Sequence, residues 1–197
     1  MTSIARSENL AARIPEATPP FSEQIQQRLD AIMPKGAPPL RLFTTLARDE
    51  RLFQRFMAGG LLDRGHFELR QREIVIDRIT ALSGSEYEWG VHIAFFAERA
   101  GLDEAQVAST ANAGAADPLW DARDRALLTA CDRLHLTCDI DDEAWSALRA
   151  HFSEEAILEI LMLAGFYRTV AYLTNALRLP LESYARRFPV GNAPTKA

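Results

Sequence analysis

Cysteine is nearly missing from this 197-residue sequence: Cys131 and Cys138 are the only two. They do not form a Cys-x-x-Cys, and on one helix they would sit about two turns apart, too far for a local disulfide. A disulfide framework is excluded, and the plainer reading of both thiols is structural rather than redox-active. His-Glu-x-x-His spacing, a glycine-rich phosphate loop and a Gly-x-Ser-x-Gly elbow are also missing, which removes the common helical zinc, nucleotide and hydrolase signatures. Positive charge is not in excess. At a net −5, the chain lacks the basic footprint that seeks nucleic acid or anionic lipid. The longest apolar run, Ala156 to Leu177, contains Glu159 and Arg168, two charges that count against a membrane span. The opening MTSIARSENLAARIPEA has no apolar stretch of the secretory kind. A cytoplasmic protein with no nucleic-acid or membrane partner is expected.

What is present is helical periodicity. Hydrophobic residues make up 48%, and a chain this long buries roughly 70% of its unfolded surface. A polar arm with prolines at 15, 19 and 20 occupies residues 1–20, one helical domain spans 21–190, and a flexible tail covers 191–197. Stripes and cap residues predict helices over Ser22 to Met33, through Leu42 to Leu46, from Asp49 to Met57, over Glu68 to Leu82 and from Ser85 to Ala100. Further helices are predicted from Asp103 to Asn112, from Asp121 to His135, through Trp145 and Leu148, from Ser153 to Leu177, and shortly over Leu181 to Phe188. No segment alternates with period two. The class is all-α, a multi-helix array. The Ser153–Leu177 helix is apolar nearly all round, which predicts a central position.

The chemically informative stretch is EIVIDRITALSGSEYEWGVH, Glu73 to His92. On a helix capped by Ser85, Glu88 and His92 are four residues apart and share a face with Ser85. Glu88 is placed to hold His92 in one tautomer, the pairing that general acid–base catalysis uses. Glu73 approaches them if the preceding helix packs antiparallel. The competing reading is an ordinary surface i,i+4 pair worth a few tenths of a kcal/mol. Tyr87, Trp89, Phe95 and Phe96 supply an aromatic wall, as core or as pocket. Glu-x-x-x-His is not the Glu-x-x-His of di-iron bundles, and His66, His135 and His151 show no matching partners, so no metal is expected.

The run RQREIVIDRITALSGSEYEWGVHIAFFAERAGL resembles the signature of the carboxymuconolactone decarboxylase/alkyl hydroperoxidase D superfamily. PPLRLFTTLARDERLF resembles its lead-in and LMLAGFYRTVAYLTNALRLPLE its closing helix, with Tyr167 and Asn175. The resemblance covers residues 20 to 188 and implies an orthogonal all-α array, no cofactor, and a trimer or hexamer, with a dimer as fallback. Two activities accompany it: cofactor-free decarboxylation of a lactone acid, and thiol-based hydroperoxide reduction. Counting back from His92, the thiol positions of the second activity fall on Ser85 and Glu88, and its glutamate on Glu73. A hydroxyl and a carboxylate cannot cycle through sulfenate and disulfide. The implied catalytic set is His92, Glu88, Glu73 and Ser85, with Tyr87, Trp89, Tyr167 and Asn175 as substrate-binding residues. Three readings stand: a cofactor-free lyase or isomerase acting on a small lactone or carboxylic acid, a peroxidase-related protein using Cys131 or Cys138, and a non-catalytic oligomeric small-molecule-binding module.

Overall fold

The structure, a computed structural model, describes residues 11–189. Residues 1–10 of the expected arm and the expected tail 191–197 lie outside the described residues. Within them the fold is all-helical: α1 (Glu23–Ile32), α2 (Arg41–Leu46), α3 (Glu50–Ala58), α4 (Leu69–Leu82), α5 (Glu86–Phe96), α6 (Glu104–Ala111), a 3-10 turn (Gly114–Ala116), α7 (Ala122–Thr137), α8 (Asp142–Arg149) and α9 (Glu154–Leu177). The starts follow local chemistry. Ser22, Asp49, Ser85, Asp103, Asp121, Asp141 and Ser153 each accept a hydrogen bond from the backbone N–H three residues on, a cap worth about 1 kcal/mol.

The centre is α4, which packs against α5, α6, α7 and α9. Ile74, Val75, Ile76 and Ile79 are at most 2% exposed. Burial on all sides makes unpaired polar groups costly, and several of its polar residues are paired. The Thr80 hydroxyl donates to the Ile76 carbonyl at 2.7 Å, and Arg78 pairs with Asp132 at 2.6 Å. Helix α4 ends at Ser83, and Gly84, at φ +65°, reverses the chain into α5. That left-handed turn is open to glycine without steric cost, and it lays α5 back along α4.

Two expectations change. Leu181–Phe188 is not a helix; it is an extended strap across α5. The Gly90 carbonyl accepts from Arg186 N–H at 3.0 Å, Glu86 accepts from Phe188 N–H at 3.0 Å, and Phe188 packs on Trp89. These bonds to α5 use backbone groups that a helix would need for itself. A Cβ at Gly90 would stand 2.1 Å from the Arg186 carbonyl oxygen, so the close approach requires glycine. The second change concerns α9. One side is buried through Ile157, Ile160, Leu163, Tyr167 and Val170, but Leu158, Met162 and Tyr172 are 63%, 64% and 60% exposed. Its all-round apolar sequence belongs to a helix with one open flank.

Candidate active site

The reversal at Gly84 brings a face of α4 carrying Glu73 against a face of α5 carrying Glu88 and His92. All three are buried, at 1%, 6% and 4% exposure. His92 Nδ1 lies 2.7 Å from Glu73 Oε2. The other oxygen of Glu73 is gripped by Arg72, whose Nε and Nη2 stand 2.9 and 2.8 Å away. Arg72 Nη1 also donates to the Leu62 carbonyl at 2.9 Å. On the far edge of the imidazole, Nε2 faces the Tyr167 hydroxyl at 3.1 Å and Glu88 Oε1 at 3.4 Å. Tyr167 meets the ring edge-on and Phe96 lies tilted beside it.

Thus the carboxylate that fixes the histidine is Glu73, from the preceding helix, and not Glu88. A 2.7 Å contact to Nδ1 sets the ring and, in the charged form, holds the Nδ1 proton. Glu88 is on the working edge. Its second oxygen is buried with no hydrogen-bond partner among the described residues, an acceptor left open for a ligand group.

Electrostatics favour a charged imidazole. Burial pulls its pKa down, but Glu73, reinforced by Glu88, overrides it and raises the pKa from 6.5 to about 10. His92 is an imidazolium at neutral pH, a proton donor. One turn along α4, Asp77 is 1% exposed. Burial and the neighbouring Glu73 charge push its pKa well above the ordinary carboxyl range, against a smaller opposite pull from His92. Both effects favour the protonated form of Asp77, behind the site. Burial also raises the Tyr167 pKa, so its phenol keeps its proton.

The working edge opens on a cavity of about 50 Å³, where Glu88, His92 and Tyr167 face Phe43, Phe56, Leu62 and Phe166. A larger open groove of about 520 Å³ between α1 and α3 is edged by Gln24, Gln27, Arg28 and Gln54 and holds no acid–base pair. The acid–base groups Glu88, His92 and Tyr167 line the smaller space.

Of the expected residues, His92, Glu88, Glu73 and Tyr167 are brought together. The others are not brought to the cavity. Ser85 is fully buried; its hydroxyl caps α5 and bonds Thr174 Oγ1 at 2.8 Å. The Tyr87 hydroxyl accepts from Leu42 N–H at 3.2 Å and donates to Glu182. Trp89 Nε1 donates to Thr110 at 3.0 Å, and Asn175 caps the end of α4 through the Ser83 carbonyl at 2.9 Å. Their polar atoms bond within the fold and away from the cavity. Sequence reasoning overlooked Arg72, Asp77, Phe56 and Phe166. Arg72 and Asp77 flank Glu73 at i−1 and i+4, a signal available in the sequence; the two phenylalanines come from α3 and α9 and carry none.

Cys131 is fully buried, and burial raises its thiol pKa far above the usual range. Cys138 is exposed at the end of α7, in a left-handed conformation at φ +58°. Neither lines the cavity.

Fold and site together define a class: an all-helical protein with a buried imidazole clamped between carboxylates of two antiparallel helices. Residues 50–131 match the Carboxymuconolactone decarboxylase family, a span holding Arg72, Glu73, Asp77, Glu88 and His92. That match and the fold together support a likeness to the carboxymuconolactone decarboxylase/alkyl hydroperoxidase D-like superfamily. The chain is similar to an uncharacterized peroxidase-related protein from Silicibacter sp. TM1040, with TM-score 0.75 and 19% identity over 92% of this chain and 99% of that one. It is also similar to a peroxidase-related protein with an alkylhydroperoxidase AhpD core from Ralstonia eutropha JMP134, with TM-score 0.66 and 17% identity over 88% and 95%. A third similar structure is a cysteine-to-alanine variant of the debrominase Bmp8 in complex with 2,3,4-tribromopyrrole, with TM-score 0.71 and 15% identity over 89% and 94%. Comparison with curated proteins gives no match.

Proposed function

We propose that the chain is a cofactor-free lyase or isomerase that protonates a carbanion-like intermediate of a small unsaturated lactone or carboxylic acid, with His92 as the proton donor. The observation carrying this reading is the clamp itself: Glu73 holds Nδ1 at 2.7 Å while Nε2 faces the cavity between Glu88 and Tyr167. An imidazolium with its pKa near 10 is a weak acid in the resting protein, and it donates once a strongly basic carbon appears. In a decarboxylation, the bond from carbon to the substrate carboxylate breaks and carbon dioxide leaves. The electron pair passes into the unsaturated carbonyl as a dienolate. The Nε2 proton then goes to carbon, and the neutral imidazole recovers a proton from solvent.

Tyr167, which keeps its phenolic proton, donates to the developing enolate oxygen. The aromatic wall of Phe43, Phe56 and Phe166 excludes water from the substrate carboxylate and raises its energy relative to a charge-dispersed transition state. At about 50 Å³ the cavity has room for one or two waters, so substrate entry moves a wall. The wall that would yield is the irregular segment 59–68, which places Gly60 and Leu62 on the cavity.

A thiol peroxidase reading has no support at these positions, because Ser85 and Glu88 stand where a thiol pair would be needed and Cys131 is buried. The test is incubation with carboxylated unsaturated lactones in deuterium oxide, following carbon dioxide release and deuterium at the protonated carbon. Turnover that disappears in His92→Ala supports the proposal. An absence of exchange, isomerisation and carbon dioxide, together with ligand-induced thermal stabilisation, would assign the cavity to binding alone.

A further inference from the structure

The cavity holds an oxygen that the fold does not use. Glu88 lines it and is 6% exposed. Its Oε1 faces His92 Nε2 at 3.4 Å, while Oε2 is buried with no hydrogen-bond partner among the described residues. A buried carboxylate oxygen left unpaired is costly, and a carboxylate accepts hydrogen bonds without donating any. Among the described residues no lysine or arginine lines the cavity, and Arg72 is taken by Glu73 and the Leu62 carbonyl. What Oε2 lacks is an O–H or N–H donor brought by a ligand.

Tyr167 supplies the opposite function. Its hydroxyl stands 3.1 Å from His92 Nε2. An imidazolium can only donate, so the phenol oxygen accepts there and its own O–H is left to donate elsewhere. An acceptor and a donor thus flank one atom, Nε2. They match a ligand with a donor beside a carbonyl oxygen. They mismatch one that turns a carboxylate toward Glu88, where like charges would meet. Charge agrees with this: Glu73 and Glu88 are offset by Arg72 and His92, and Asp77 favours its protonated form, so the site calls for no net charge on its ligand. Shape agrees as well. The Phe56 ring centroid lies 5.1 Å from that of Phe166 and 6.4 Å from that of Phe43, walls suited to a flat ring once the 59–68 segment yields.

We infer that the site selects a neutral, flat ring carrying an N–H or O–H donor beside a carbonyl oxygen, the donor going to Glu88 Oε2 and the carbonyl accepting from the Tyr167 hydroxyl. This rests on His92 being the imidazolium of the proposed reaction, and it narrows the ligand class beyond a lactone or acid. The test is calorimetric binding to the full-length protein at neutral pH. α-Pyridone should bind at least about tenfold tighter than α-pyrone, its lactone isostere without the N–H, or than N-methyl-α-pyridone. In Glu88→Gln the preference should shrink to within about threefold, because the amide can turn its NH2 to the ring oxygen. Tyr167→Phe should weaken α-pyridone and α-pyrone alike and keep the preference, since both carry the carbonyl. Equal binding of the three by the unaltered protein would overturn the inference. So would no binding of any, or a preference that persists in Glu88→Gln. Turnover of carboxylated lactones by a protein without the preference would leave the proton-donor reading standing, whereas the preference without turnover would overturn only that reading.

Discussion

Replacing Glu73 by Gln tests the charged clamp, because the amide keeps the shape and removes the charge. An imidazole raised from 6.5 to about 10 favours its charged form by on the order of 5 kcal/mol, at about 1.4 kcal/mol per tenfold change. Without the Glu73 charge, burial pulls the pKa down, and His92 should be neutral at pH 7. Breaking a buried pair from one side costs about 3–5 kcal/mol, so Glu73→Gln should lower stability at pH 7 by roughly that amount in denaturant titrations. The sign of the pH dependence follows from the raised pKa. Stability from His92 protonation is fully present below 6.5 and is lost as pH rises through about 10. Between those limits the native protein binds a proton that the unfolded chain does not, which gives a fall of about 1.4 kcal/mol per pH unit. Asp77, also raised, adds to the fall in the same direction; Glu88 and Tyr167 are the other polar groups facing the ring, and Arg72 reaches it only through Glu73. The variant should show a much flatter profile, and imidazole nitrogen shifts should report neutral His92 at pH 7. A loss under about 1 kcal/mol, or a His92 still protonated at pH 7 in the variant, would refute the reasoning.

Asp77→Asn should flatten the fall of stability with rising pH seen in thermal melts, because the upward shift of the Asp77 pKa makes the native state hold a proton that the unfolded chain releases; an unchanged pH profile would contradict this. His92→Ala and Glu88→Gln should each remove most of any turnover and the double variant little more; rate losses that multiply would separate the two residues. Cys131→Ser with Cys138→Ser should keep turnover while lowering stability through the buried Cys131, read by denaturant midpoint and substrate assay. Gly90→Ala should detach the 181–188 strap, because its Cβ meets the Arg186 backbone at 2.1 Å; unchanged protease resistance of that segment would contradict this.

Helix starts were legible in the sequence because their causes are local. The predicted cap at Ser85 and the predicted span of α9 both match, since a serine hydroxyl bonds a backbone N–H three residues away. The 181–188 segment was misread because its partners on α5 lie far back in the chain. The pairing of Glu88 with His92 was legible from i,i+4 spacing, but the stronger partner, Glu73, depends on how two helices fold back on each other. Tyr87, Trp89 and Asn175 show the same boundary: residue type suggested a pocket, while Leu42, Glu182, Thr110 and Ser83, all outside their local turns, claimed their polar atoms. The exposed flank of α9 was hidden because composition reports how apolar a helix is, not which neighbours cover it.

Arg72 holds the mouth of the cavity by the backbone carbonyl of Leu62 and the acid–base centre by the Glu73 carboxylate. The grip on the mouth is therefore indifferent to which side chain stands at position 62, which is 39% exposed. The rim can change size and shape while the proton machinery stays in place. An exchange at position 62 therefore reshapes the rim of the cavity while the Arg72 contacts to the residue 62 carbonyl and to Glu73 are kept.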